Sequence, residues 1–186
     1  MEQVTVTVKG ITPLLMHAFN EENAQGKSPV LAGDRGTPRE QADKALHWSQ
    51  DKKRIIVPGM SMYRSIIAAG KFHKIGKSKV TTLKTSLVPS GIFISEIELP
   101  LTPQDWEVDA RPVVIPSTGG RIMRFRPRWD EWELEFTLEI DTEMFAPDFV
   151  RQLVDDAGKK IGIGDFRPSC KGPFGRFVVT KWQEVK

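Results

Sequence analysis

Residues 2–9 alternate strictly, with Val4, Val6 and Val8 on one side and Thr5, Thr7 and Lys9 on the other, which is the period of a half-buried β-strand. Residues 131–140 repeat the pattern, setting Trp132, Leu134, Phe136, Leu138 and Ile140 against Glu133, Glu135, Thr137 and Glu139. Just before them, 121–128 places Met123 and Phe125 against Arg124, Arg126 and Arg128, so the two runs read as a β-hairpin turning near 127–130. A tight turn would set Arg126 opposite Glu133 and Arg124 opposite Glu135, in cross-strand ion pairs contributing roughly 0.2–1 kcal/mol each. Met62, Ile66 and Ala69, with Tyr63 and Ile67 beside them, carry helical spacing over 61–72. A second helix opens at Pro147, buries Phe149, Leu153 and Val154, and is stopped by Gly162, with Lys159 and Lys160 in the last turn, where cations suit the helix dipole. The last strand is 176–182. Weaker extended runs occur at 54–57, 92–99 and 111–115. Thr37 and Pro38 form a helix start leading into 39–48, and 20–36 reads as a polar loop.

With 18–57 and 73–115 set aside as insertions, the remaining order is β-α-β-β-α-β in one domain spanning 1–186. That is the α+β, ferredoxin-like (RRM-like) split, with helices on one face of an antiparallel sheet and the other face open to a ligand.

The net charge is only +3, yet charge is segregated along the chain. Residues 71–86 hold five lysines and no acid, 110–129 hold five arginines and no acid, and 130–156 hold ten acids against Arg151 alone. Separated basic blocks on a near-neutral chain point to a polyanionic partner. Cys170 is the only cysteine, which rules out an intrachain disulfide and a cysteine-based zinc site. No apolar window reaches the length of a membrane span, and the opening MEQVTVTVKG lacks the apolar run of a signal peptide, so a cytoplasmic location is expected.

The densest chemistry lies in GIGDFRPSCKGPFGRF, before the last strand. Its order, helix then loop then strand, is the reverse of a dinucleotide-binding turn, and it lacks the Gly-Lys-Ser/Thr of a phosphate-binding NTPase loop. The residues fit a backbone clamp, in which Gly162, Gly164 and Gly172 let main-chain N–H groups approach phosphates. Arg167, Lys171 and Arg176 would add charge, and Phe166 or Phe174 could stack on bases. Arg111 and Arg121, with no predicted acidic partner, are further ligand candidates. Trp132 reads as core, and Trp129, in the turn, as the freer aromatic. No cofactor or metal is called for.

The stretch GIGDFRP…GPFGRFVV resembles the C-terminal glycine-rich loop of the RAMP superfamily, the ferredoxin-like RNA-binding proteins of CRISPR effector complexes, the backbone subunits above all. IIVPGMSMYRSIIAAGKF is similar to their element of a proline, a small residue and a helix. The resemblance implies that Gly59, Ser61 and Arg64 face a phosphate. It also implies that the basic loop HKIGKSKVTTLK, with Lys74, Lys77, Lys79 and Lys84, reaches along nucleic acid toward a neighbouring subunit. The chain as a whole is similar to small proteins encoded in bacteriophages and prophages, which share openings like GITPLLMH and endings like GIGDFRP…FGRF.

The expectation is a non-enzymatic protein that binds single-stranded RNA or DNA and self-associates along it. Two alternatives stay open. One is an RNA-processing endonuclease of the same fold with His17 as its acid or base, a role the resemblance suggests although no partnered constellation is visible around it. The other is a protein–protein or anti-defence module whose basic blocks meet an acidic protein.

Overall fold

A computed structural model describes residues 1–18, 36–114 and 118–185. In chain order its strands are β1 (Glu2–Gly10), β2 (Leu14–Leu15), β3 (Ile56–Pro58), β4 (Lys74–Ile75), β5 (Ser78–Lys79) and β6 (Ile92–Ile94), then β7 (Glu98–Pro100), β8 (Glu107–Val114), β9 (Arg121–Trp129), β10 (Glu133–Ile140) and β11 (Phe177–Glu184). Its α-helices are α1 (Pro38–Asp43), α2 (Gly59–Ala69) and α3 (Pro147–Asp156). The polar loop expected over 20–36 lies outside the described residues apart from Gly36, as does the end of the run at 111–115.

The architecture is α+β, with antiparallel sheets. A four-stranded sheet runs in the order β11-β1-β10-β6, every neighbour antiparallel. Val4, Val6 and Val8 of β1 and Leu134, Phe136, Leu138 and Ile140 of β10 are buried on one face, as their alternation predicts. Met62, Ile66 and Ala69 of α2 and Val150, Leu153 and Val154 of α3 join the same core cluster. Burying each such side chain contributes roughly 1.5–3 kcal/mol, so the core is held by this face and by both helices.

The opposite face is polar and carries both signs of charge. It presents Glu133, Glu135 and Glu139 among Gln3, Thr5 and Lys9, with Lys181 of β11 beside them. Carboxylates in those positions repel phosphate, and Phe93 of β6, 39% exposed, is the large apolar residue beside them.

The expected hairpin between 121–128 and 131–140 does not form. β9 pairs with β8 on one side and β2 on the other, in a separate sheet, while the sheet's edge beside β10 is β6, from within the stretch set aside as an insertion. Arg126 therefore lies opposite Asp109 and Arg124 opposite Arg111. The turn between β9 and β10 is where the chain passes from one sheet to the other, pinned by two buried tryptophans. Trp129 is 2% exposed and Trp132 1%, so Trp129 is core rather than a free aromatic.

α1 is capped as its sequence predicts: the Glu40 N–H donates to Thr37 Oγ1, the Thr37 N–H donates to Glu40 Oε2, and Pro38 occupies the first turn. It is shorter than expected, ending at Asp43. Past Asp156, α3 widens into a π-turn, Ala157–Ile161.

Candidate nucleic-acid interface

The start of α2, the π-turn and the glycine-rich loop converge on a pocket of about 330 Å³. α2 begins after Pro58 with no side-chain cap, and the Gly59 N–H donates to the Ile97 carbonyl at 2.7 Å. This leaves the N–H groups of Met60 and Ser61 without an intrahelical partner, at the positive end of the helix dipole. Ser61, Arg64, Ser65 and Ala68 line the pocket from α2. Buried Ser65 ties the two walls together, its Oγ donating to the Gly162 carbonyl at 3.1 Å.

Ile161, Gly162, Ile163, Gly164, Asp165, Arg167 and Ser169 form the facing wall. The loop is not an open cradle of amides. Ile163 N–H donates to Gly175 O, Asp165 N–H to Leu15 O, Gly172 N–H to Arg167 O and Gly175 N–H to Pro13 O, all at 2.8–3.0 Å. Its glycines serve these crossings. Gly164 and Gly175 sit at φ +75° and +68°, and a Cβ on Gly175 would meet the Ile163 carbonyl at 1.8 Å. Gly172 lies against the Phe166 carbonyl, and Gly59 against that of Glu96. Most of the loop's N–H groups are therefore spent on the fold. Those of Gly164, Arg167 and Ser169 have no partner among the described residues, and all three residues line the pocket.

The expected charged groups divide. Arg64 is exposed on the pocket and Arg167 is half-buried there, its Nη1 donating to the Gly164 carbonyl at 2.9 Å. Arg176 points elsewhere, its Nε donating to Lys159 O at 3.0 Å, and Lys171 is exposed in a left-handed turn outside the pocket. Arg167, Lys171 and Arg176 thus do not act as one outward group. Phe166 is 41% exposed, but Phe174 is 6% exposed and packs inward.

Arg111, expected to be unpaired, has a partner. Its Nε donates to both oxygens of buried Asp109 at 2.9 Å, and its guanidinium lies 4.6 Å from the Phe174 ring centre. Arg128 shares Asp109 and also donates to Asp130. Arg126 forms an ion pair with Asp165, in which neither facing atom makes a well-directed hydrogen bond. Arg121 and Arg124 are exposed and form no ion pair among the described residues.

Lys74, Lys77, Lys79 and Lys84 are all exposed. Lys74 lies directly opposite Lys79 across the β4–β5 hairpin, which turns through Gly76 and Lys77. Like charges so placed are destabilising until an anion arrives.

His17 lines the pocket, and so does His47, which carries no signal of its own in the sequence. The Ala18 N–H donates to Ala45 O at 2.8 Å, which runs the two segments side by side. Partial burial pushes the His17 pKa below 6.5, although the residue stays exposed overall; Asp165 opposes the shift, and Arg124 and Arg126 add to it. Burial also lowers the His47 pKa, with His17 contributing. Both imidazoles are consequently neutral near pH 7.

No protein-family model matches the chain, and no curated protein does. No helix among the described residues is long and apolar enough to cross a membrane.

Proposed function

We propose that the protein is a non-enzymatic binder of single-stranded nucleic acid, with one phosphate group held in the pocket between the start of α2 and the glycine-rich loop. The observation that carries this is convergence. Ser61 and Arg64, from the start of α2, meet Arg167 and the unpartnered amides of Gly164, Arg167 and Ser169, about a hundred residues later in the chain. The pocket's one carboxylate, Asp165, is occupied by Arg126. Helix-start amides, free loop amides and guanidinium groups together make an anion site with no positive charge cancelled inside it.

The strand order supports a ferredoxin-like reading built on other strands than those expected: α2 links β1 to β6, and α3 links β10 to β11. It is also consistent with the resemblance to RAMP proteins. The three glutamates on the outer face of the sheet favour a ligand on the helix-start side over one lying across the sheet. The lysine hairpin adds phosphate contacts without base specificity. Self-association along the strand belongs to the same proposal, and predicts affinity that grows with oligonucleotide length.

Fluorescence anisotropy with labelled single-stranded oligonucleotides tests the reading. Binding should weaken with salt along a slope of about −0.7 per phosphate contacted, and Arg64→Ala should weaken it at every sequence. Failure to bind any oligonucleotide at low salt would sink the proposal.

A second reading, RNA cleavage, gains support from the juxtaposition of His17 and His47. One neutral imidazole takes the proton of a ribose 2′-hydroxyl as its oxygen attacks the adjacent phosphorus, and Arg64 and Arg167 balance the charge that develops. The bond to the 5′-oxygen breaks, that oxygen leaving with a proton from water to give a 2′,3′-cyclic phosphate. RNA left intact after prolonged incubation with the wild-type protein excludes it.

A further inference from the structure

The pocket does not end the surface that a strand could follow. It reaches Ala68 on α2 and Ile161 on the π-turn. One helical turn beyond Ala68, about 5–6 Å along the axis, stands Phe72, and one residue before Ile161 stands Lys160. The two meet, with Lys160 Nζ 4.7 Å from the centre of the Phe72 ring. Lys71 Nζ lies 4.9 Å from the same ring. Phe72 is 47% exposed, and Lys74 follows two residues later at the base of the lysine hairpin. An exposed aromatic ring thus sits between the anion pocket and the unpaired lysines, carrying two ammonium groups.

We infer that Phe72 is a base-stacking platform for the nucleotide that follows the one held in the pocket, with Lys71 and Lys160 on the flanking phosphates. The inference rests on the binding reading above and adds to it a reason for preferring single strands. A duplex keeps its bases stacked on one another and has none to give.

The two lysines have different tasks. Lys160 Nζ also donates to Asp156 Oδ2 at 2.8 Å, an ion pair that fixes it on its side of the ring. Lys71 forms no ion pair among the described residues, so it is the group that moves aside. An exposed cation–π contact is worth about 0.5–1 kcal/mol. Stacking of a base on an aromatic side chain is worth about 1–3 kcal/mol. A base therefore displaces the Lys71 ammonium, which finds a phosphate instead of the ring. The alternative occupant, an apolar side chain of a second copy, would bring no anion to Lys71, Lys74 or Lys160.

The test compares a single-stranded oligonucleotide with an abasic strand of the same length and backbone, in anisotropy titrations with the full chain. Phe72→Ala should weaken binding of the base-bearing strand by roughly five- to a hundred-fold and leave the abasic strand unchanged. Phe72→Trp should retain wild-type affinity, and a 2-aminopurine base should lose fluorescence on binding to either aromatic form but not to the alanine form. Equal binding of the two strands by the wild type, or an equal loss on both in Phe72→Ala, would overturn the inference while leaving the pocket reading intact. A change in oligomeric state with no change in oligonucleotide affinity would assign Phe72 to self-contact and overturn it likewise. Failure of the wild type to bind either strand overturns the pocket reading and this inference together.

Discussion

Two basic hairpins in this protein look alike in sequence and differ in what surrounds them. β8–β9 carries arginines within the acid-free run 110–129 and β4–β5 carries lysines within the acid-free run 71–86, although β8 itself opens with Glu107 and Asp109. Around β8–β9 the fold supplies carboxylates: buried Asp109 takes Arg111 and Arg128, and Asp165 takes Arg126. Around β4–β5 the lysines form no ion pair among the described residues, and Lys74 faces Lys79. A run of like charge becomes a binding surface only where folding leaves it unneutralised. Most of the arginine hairpin is structural, while the lysine hairpin and the pocket arginines, Arg64 and Arg167, remain available to a ligand.

The largest expected effect separates structure from binding within the glycine-rich loop. Gly175→Ala would force a Cβ at positive φ into the Ile163 carbonyl, and should destabilise the protein by about 2–4 kcal/mol. Urea melts would measure it. A stability within about 0.5 kcal/mol of wild type would mean that the loop tolerates opening, and would restore its amides as a general phosphate clamp.

Asp109→Ala breaks the comparison from the arginine side. It removes the buried acceptor of two arginines whose side chains stay 38% and 31% exposed, and that exposure keeps the cost near 1–3 kcal/mol rather than that of a fully buried pair. The comparison predicts an opposite result in binding: at low salt the variant should hold oligonucleotide at least as well as wild type, since Arg111 is released while Arg128 keeps Asp130. Weaker binding by a folded variant would show that the arginine hairpin, as built, belongs to the interface.

The outcome for these arginines shows what the sequence could carry. Period-two alternation located β1 and β10, and helical spacing located α2 and α3, because one buried face leaves its period in the chain. β9 alternates in sequence as well, but Met123 is 49% exposed and Phe125 only half-buried, and a period does not say which strand lies alongside. The chain order invited β10 as its partner. The run 92–99 was legible as extended but was set aside with the insertion 73–115, and only its first three residues, β6, border β10. Ser61, Arg64, Gly164 and Arg167 were legible as site residues and do share the pocket. His47 and Phe72 carried no sequence signal, for their significance comes from what lies across from them: His17 for the one, Lys160 for the other.

Replacing Lys74, Lys77 and Lys79 together with alanine sharpens the comparison from the lysine side. Stability should change by less than about 0.5 kcal/mol, since removing the Lys74–Lys79 repulsion offsets little else. The slope of log affinity against log salt should become shallower by about 0.7 for each phosphate that the hairpin no longer neutralises. An unchanged slope would leave the hairpin a solvated loop like the neutralised one.

The smallest effect is that of pH, and its sign follows from the two pocket histidines. Burial holds both pKa values in the folded protein below the 6.5 of the free side chain. Between those lowered values and 6.5 the unfolded chain binds more protons, so stability rises with pH across that window. The penalty is fully present below the folded pKa values and gone above 6.5. A phosphate in the pocket acts in the opposite direction, favouring the imidazolium forms and raising both pKa values. Oligonucleotide affinity should therefore increase as pH falls through 6.5, with protons taken up on binding, even while the free protein loses stability. The double variant His17→Asn, His47→Asn should flatten both trends, read by urea melts and by anisotropy over the same pH range. A wild-type affinity that ignores pH would place the phosphate away from the histidines and shift the bound strand toward the lysine hairpin.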